Sequence, residues 1–505
     1  MKKYLVSLAI LLTGLSACAQ NKNNKSDYPP AKDGYAISIK IKGLQQGSQL
    51  ILANYLGDKP YARDTAFVDN NGVATFSGKD RLERGIYMVL LPGMSYFEIL
   101  ATDNNYFTIE TDTTKEDYYQ DMKVLNSPEN TRFVAYNLFL SKKGIERSKA
   151  TDDKAKRVID TEVNEFKQKQ ISEFPNDLLT HVLLMMEQPK VPDAPAGLSP
   201  EDAKQWQYNY YVAHYWDNVN FKEEGLTRTP GAIFQNIIDR YFDKVISQDP
   251  DSLIKHIDLV ERKIDGNKEL ERFYIWYLTR KYETSKVMCH DAVFAHMAKS
   301  FYCTGKAFWA DSTLIAKICE KAEKIGYTTC KTKVPDLRCA DINDQYHHLY
   351  QEKGRYTILI FWDPTCGHCK KVLPKVEDLK MRMKDTISVY AVATEGKYDE
   401  WVKYTHEHPE LMQIFTNVCK TDRYFPWPIN RQNYDIQANP TIFLLDTEKK
   451  VIAKKIDEDR LEEFIIYMMG EDNLLPKEVV NARIKDFQAK HPEPKEEPVQ
   501  NHENE

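Results

Sequence analysis

Apolar residues fall at every second position in a series of short runs between Tyr35 and Asp112: Ile37, Ile39 and Ile41, then Leu50 and Leu52, then Tyr87, Val89 and Leu91, then Phe107 and Ile109. Successive side chains on a strand point to opposite faces, so this period predicts half-buried strands. Asn71-Gly72, between Phe67-Val68 and Val73, predicts a hairpin turn. From about Ser127 to Lys324 the apolar spacing changes to three and four residues. Lys154–Glu173, Ala232–Ser247, Lys268–Glu283 and Asp291–Tyr302 read as helices, interrupted at Phe174-Pro175-Asn176 and Thr229-Pro230-Gly231. Beyond Cys330 the two periods alternate. A hairpin, a strand at Tyr356–Trp362, a helix, a strand at Ile387–Thr394, a helix at Tyr398–His406, strands at Pro440–Asp446 and Val451–Lys455 and a closing helix at Asp459–Gly470 follow in turn. That order predicts a mixed sheet with helices on both faces. The expected architecture is a multidomain chain: a small antiparallel β domain (34–115), an α-helical spacer (116–328) and a C-terminal α/β domain (329–475).

The two ends read differently. Residues 1–17 carry Lys2, Lys3 and an apolar centre from Leu5 to Leu12, too short to span a bilayer, and so read as an export signal. Leu15-Ser16-Ala17-Cys18 resembles a bacterial lipobox. The resemblance implies a lipid on Cys18 and a membrane anchor. Ala19 and the lack of an acidic cluster after Cys18 then point to the outer membrane, facing the periplasm. Residues 18–33, polar and with Pro29-Pro30, suit a flexible tether; 476–505 is charged and reads as a disordered tail.

At 505 residues the chain exceeds a single core. A net charge of -6, with no basic stretch interleaved with aromatics, excludes nucleic acid as an expected partner. Besides Cys18, Cys366 and Cys369, the six cysteines Cys289, Cys303, Cys319, Cys330, Cys339 and Cys419 remain. An oxidising compartment allows 15 pairings of six thiols, and buried free thiols are equally compatible with the sequence.

The chemistry concentrates in Phe361-Trp362-Asp363-Pro364-Thr365-Cys366-Gly367-His368-Cys369-Lys370. A Cys-x-x-Cys where a buried strand turns into a helix sets its first sulfur over the unpaired N–H groups of the helix's first turn, which favours the thiolate. Pro374 should kink that helix. Zinc would require a second ligand pair, and none follows at a suitable spacing, so neither metal nor other cofactor is expected. His214 beside Asp217 reads as a satisfied core histidine. The pairs His347-His348 and His406/His408 read as solvated surface features.

The Cys-Gly-His-Cys segment, together with Tyr434-Asp435-Ile436-Gln437-Ala438-Asn439-Pro440-Thr441 and its following apolar strand, resembles the thioredoxin-like superfamily. It is similar above all to the extracytoplasmic, TlpA-related thiol-disulfide oxidoreductases. Lys333-Val334-Pro335-Asp336-Leu337 matches the family's entry motif. The β domain and helical spacer resemble the front part of lipoproteins of the Bacteroidota. The resemblance implies that Cys366 attacks, Cys369 resolves, and Gly367 and His368 tune the poise, a partly cationic imidazole favouring the Cys366 thiolate. It also implies that Pro440 is cis and that Trp362, Asn439, Pro440 and Thr441 contact substrate. Relatives carry acidic residues where this chain has Ile360 and Val372, so the proton shuttle for Cys369 is open; Glu395 is one candidate and a bound water another. Protein thiols and disulfides, and a partner that recharges the dithiol, are the implied partners, with reductase and isomerase directions both open. The competing reading is a peptide- or partner-binding lipoprotein with a regulatory redox domain.

Overall fold

The computed structural model describes residues 34–115, 117–394, 398–419 and 434–490, so Cys18, Glu395 and the segment from His491 lie outside the described residues. The chain divides into two compact units: residues up to Leu183 with Arg228–Ala232, and Leu184–Thr227 with the chain from Ile233 on.

In the first unit, strands β1 (Tyr35–Lys42), β2 (Gln49–Leu56), β3 (Lys59–Phe67), β4 (Val73–Gly78), β5 (Gly85–Leu90), β6 (Tyr96–Ala101), β7 (Tyr106–Asp112) and β8 (Lys123–Leu125) form two four-stranded sheets, ordered β4-β1-β7-β8 and β3-β2-β5-β6. The period-two residues Ile37, Ile39, Leu50, Leu52, Val89, Phe97, Phe107 and Ile109 meet in one core to which both sheets contribute. The β1–β7 pair is parallel, which the expected antiparallel domain did not include. The Asn71-Gly72 turn forms, with Gly72 at φ 76° and Asp69 Oδ1 accepting the N–H groups of Asn71 and Val73. It joins β3 of one sheet to β4 of the other, so it is a sandwich corner rather than a hairpin. Helices α1 (Pro128–Lys149) and α2 (Asp153–Glu173) belong to this unit. The fully buried Asn130 of α1 accepts the Leu100 N–H at 2.7 Å and donates to the Leu100 carbonyl at 2.9 Å. Leu100 lies on β6, an edge strand, so one side-chain amide stands in for the missing strand there.

The second unit contains α3's last turn (α3, Leu178–Met185), α4 (Pro200–His214), α5 (Ile233–Arg240), α6 (Pro250–Ile264), α7 (Lys268–Glu283), α8 (His290–Met297) and α9 (Ser312–Gly326), followed by the α/β domain. Two disulfides form, Cys289–Cys330 and Cys303–Cys319. Cys339 and Cys419 are buried and take part in neither disulfide. Cys419 is in register with Ala340, so Cys339 points to the opposite face of the sheet, and the two thiols sit in separate cores.

The α/β domain is a seven-stranded sheet, β10-β9-β13-β12-β11-β14-β15, built from β9 (Arg338–Ala340), β10 (Tyr346–His348), β11 (Tyr356–Trp362), β12 (Ile387–Ala393), β13 (Thr416–Cys419), β14 (Thr441–Leu445) and β15 (Val451–Lys454). β11, β12 and β13 run parallel and β14 antiparallel to β11, which makes the sheet mixed as expected. Helices α10 (Cys369–Met383), α11 (Tyr398–Glu407), α12 (Pro409–Ile414), α13 (Glu458–Glu471) and α14 (Lys477–Lys490) accompany it. Pro374 lies inside α10. α14 departs from the expected disordered tail: Val480 and Phe487, one heptad apart, bury against the domain and hold the charged segment as a helix as far as Lys490. No helix among the described residues is long and apolar enough to cross a membrane.

Candidate active site

β11 is buried along its whole length and ends at the Cys-x-x-Cys. Alternation sends Tyr356, Ile358, Ile360 and Trp362 into the core that contains Cys369. Asp363 then turns the chain: its Oδ1 accepts the Thr365 N–H and the Thr365 hydroxyl, both at 2.7 Å, and its carbonyl accepts the Cys366 N–H at 3.1 Å. His368 occupies the N-cap of α10 and Cys369 its first turn.

The two thiols differ in both exposure and acidity. Cys366 is partly exposed, and its thiol is held below the ordinary range, first by the Cys369 backbone N–H and further by the Cys369 thiol and the His368 N–H, against some desolvation and the Asp363 carboxylate. Cys369 is fully buried, and desolvation pushes its thiol up to about 12. Its Sγ accepts the Asp363 N–H at 3.5 Å. A sulfur over the open N–H groups of a helix start is stabilised as thiolate; a sulfur one turn further in, shut off from water, is not. The His368 backbone N–H acts on the Cys366 sulfur, and the residue itself is exposed. A Cβ at Gly367 would meet nothing within 4 Å, so space does not demand glycine there.

The Asn439–Pro440 peptide is cis, and the Cys366 thiol lies 3.8 Å from the Asn439 carbonyl. Asn439 and Pro440 are partly exposed beside the sulfur. Trp362 and Thr441, also expected among the substrate contacts, are 1% and 5% exposed. The Trp362 ring packs against Tyr404 at 5.2 Å between centroids, and the Thr441 hydroxyl donates to the Ala438 carbonyl at 2.6 Å. Both are buried because β11 and β14 are covered on both faces of the sheet.

Two residues emerge that the sequence did not single out. The buried Thr394, just past β12, sets its hydroxyl 3.1 Å from the Trp362 carbonyl and 3.2 Å from Asn439 Oδ1, so it ties the strand before the dithiol to the cis-proline loop. Asp363 carries a carboxylate that raises both thiols, whereas Ile360 and Val372 are fully buried hydrocarbon. Nothing in the local pattern marks Thr394; only the fold brings it 45 residues back to Asn439. Three of the histidines set aside as ligands pair with carboxylates: His347 with Asp341 at 3.0 Å, His348 with Asp336 at 2.8 Å and His408 with Glu410 at 3.1 Å. His214 meets Asp217 at 2.6 Å, but its side chain is 42% exposed at the end of α4, so it is a surface pair and not a core histidine.

A thioredoxin-like family model matches residues 354–451, the stretch from the approach to β11 through the cis-proline loop to β15. A domain of a possible thiol-disulfide isomerase from Cytophaga hutchinsonii is 32% identical, over 29% of this chain and 97% of its own length, with a TM-score of 0.26. The C-terminal domain belongs to the thioredoxin-like family. A thiol-disulfide oxidoreductase ResA of Bacillus cereus is 26% identical over 141 residues, 27% of this chain and 75% of that protein. A thioredoxin-like protein from Bacteroides caccae covers 56% of this chain and 98% of its own, at 18% identity and a TM-score of 0.41. Residues 145–328, the helices ahead of the thioredoxin-like domain, match a domain of unknown function, DUF5106. Thiol-disulfide oxidoreductase chemistry on protein thiols and disulfides is the family-level function of this thioredoxin-like domain.

Proposed function

We propose that Cys366 and Cys369 are the exchanging dithiol of an extracytoplasmic, lipid-anchored thiol-disulfide oxidoreductase. The observation that carries this reading is the split between an accessible thiol held low and a buried partner pushed up to about 12, in sequence order and on one helix start. The Cys366 thiolate attacks one sulfur of a substrate disulfide; that S–S bond breaks, and the departing sulfur leaves as a thiolate that takes up a proton. Cys369, once deprotonated, attacks Cys366 and expels the second substrate thiolate. Two electrons have then passed to the substrate, and an external dithiol donor must reduce the new Cys366–Cys369 bond. Run backwards, the same steps oxidise, and release of the mixed disulfide to another substrate thiol isomerises, so the direction belongs to the recharging partner. Asp363, which acts on both sulfurs, is the candidate acceptor of the Cys369 proton. Asn439, beside Cys366 and partly exposed, is the candidate backbone contact for a substrate strand.

Trapping tests the reading. In Cys369→Ala, mixed disulfides on Cys366 should accumulate in cells and be absent from Cys366→Ala. Traps of equal yield in both variants, or disulfide reductase activity intact in Cys366→Ala, would reverse the assignment. Anchoring through Cys18 is tested by Cys18→Ser, which should move the protein from the membrane to the soluble fraction; membrane retention together with no acyl mass on the wild type would remove the lipid from the account.

A further inference from the structure

Cys369 is 0% exposed although its neighbours His368 and Lys370 are both exposed, so its cover comes from elsewhere in the fold. Part of that cover is Tyr404 of α11, itself 6% exposed and in the same core as Cys369 and Trp362. One ring meets both ends of the turn that carries the dithiol. On the strand side its centroid lies 5.2 Å from that of Trp362, the last residue of β11. On the helix side the Nζ of Lys370, the second residue of α10, stands over the ring at 5.6 Å from the centroid. Both separations fall within the reach of ring packing and of cation–π attraction. A single side chain thus spans residues 363–369, both cysteines included.

The helix that carries the ring is held in rotation. Trp401 Nε1 donates to Asn417 Oδ1 at 3.2 Å, and Asn417 Nδ2 donates to the Thr405 hydroxyl at 3.3 Å. All three residues are buried, so β13 grips α11 three residues before Tyr404 and one after it. Against the ring also stands His408, 4.4 Å away between centroids, with its Nδ1 on Glu410 at 3.1 Å. The phenol is no proton acceptor for Cys369: burial first, then the Glu410 and Glu377 carboxylates and Cys369, push it up, and it stays neutral. The groups acting on Cys369 itself are Asp363 and the Cys366 thiol. What Tyr404 brings to the dithiol is therefore the bulk of a ring and a seat for the Lys370 ammonium.

We propose that Tyr404 is a positioning residue: it clamps the dithiol turn between β11 and α10, shuts Cys369 from water and so leaves Cys366 as the one thiol able to attack. The inference rests on the reading of Cys366 and Cys369 as the exchanging pair. The test labels the reduced full chain with iodoacetamide at about pH 9, just above the ordinary thiol value, and follows each cysteine by peptide mass. Tyr404→Leu should label Cys369 about tenfold faster than the wild type, as a fall of about one pH unit in its midpoint requires. Tyr404→Phe keeps the ring and should match the wild type. Cys419 in the same core and Cys339 in the other report general loosening, and both should stay as slow as in the wild type. Should they speed up with Cys369, Thr405→Val decides: it is isosteric and removes only the acceptor that Asn417 uses on α11. Labelling of Cys369 alone should then rise about two- to tenfold, the worth of one hydrogen bond. Unchanged Cys369 in Tyr404→Leu, or in Thr405→Val where that variant decides, overturns the clamp, and so does a Tyr404→Phe that labels like Tyr404→Leu. Turnover of hydroxyethyl disulfide by the wild type separates the two failures: without it the dithiol reading falls, and with it only the clamp does.

Discussion

At the scale of single residues, the asymmetry of the two thiols has a direct pH signature. Thiolate is the reactive form, so a thiol held low reacts faster at neutral pH and one pushed to about 12 does not react. Iodoacetamide should label Cys366 with a midpoint below the ordinary thiol value of about 8.5, and Cys369 should remain unlabelled at that pH. Labelling of Cys369 first would exchange their roles. His368→Ala keeps the backbone N–H and should leave the Cys366 midpoint in place. His368→Pro deletes that N–H and should raise the midpoint by about one pH unit, because a hydrogen bond to a charged group is worth about 1.5–3 kcal/mol. An equal shift in His368→Ala would return the tuning to the imidazole. Thr394→Val should raise KM for a protein disulfide about two- to tenfold with a smaller change in kcat, and Thr394→Ser should restore it. The sequence showed Cys366, Cys369, Asn439 and Pro440 because their types and order carry the chemistry. It could not show that Trp362 and Thr441 face inward while Thr394 reaches Asn439, since those facts depend on strand register and on a contact 45 residues long.

At the scale of elements, helices were legible where their apolar period was unbroken: Lys268–Glu283 forms as read, and so does β11. The reading stopped short where charge masked a sparse apolar pattern, as in α14, whose two buried residues are seven apart. Turn chemistry was visible at Asn71-Gly72, but which strands the turn joins was not, because the partner sheet is chosen by packing. The docking of α1 on β6 was likewise invisible. Asn130→Ala would leave the Leu100 N–H and carbonyl buried without their partner, and should cost about 1–3 kcal/mol in urea unfolding of the first unit. Asn130→Asp, which can accept but not donate, should recover part of the loss. A change below about 0.5 kcal/mol in Asn130→Ala would mean that water replaces the amide and that the edge strand is not closed by it.

For the whole molecule, the change of period at about Ser127 located the helical region between the β sheets and the thioredoxin-like domain, and the contacts then divide its helices between two units. α1 and α2 join the β sandwich, and α4 to α9 join the thioredoxin-like domain. Allegiance of this kind rests on long-range links such as Lys454 with Asp291 and the Cys289–Cys330 bond, which period and composition do not encode. That bond closes 41 residues, so Cys289→Ser with Cys330→Ser should destabilise the second unit by about 2–4 kcal/mol, read as an earlier unfolding transition under non-reducing conditions. An unshifted transition would assign the joining of the helices to the thioredoxin-like domain to packing alone. The same bond also bears on how the protein can be handled. A chain with a thioredoxin-like dithiol carries two disulfides of its own among the described residues, and one of them ties the helices to the start of the thioredoxin-like domain. Dithiols of this kind are reduced at about -180 to -270 mV, whereas structural disulfides of secreted proteins typically lie below about -300 mV. Between those values is an interval in which the catalytic pair is open and the bolts are shut. Below it, a strong reductant would yield a protein with intact reactive thiols but a loosened joint between the helices and the domain that holds them.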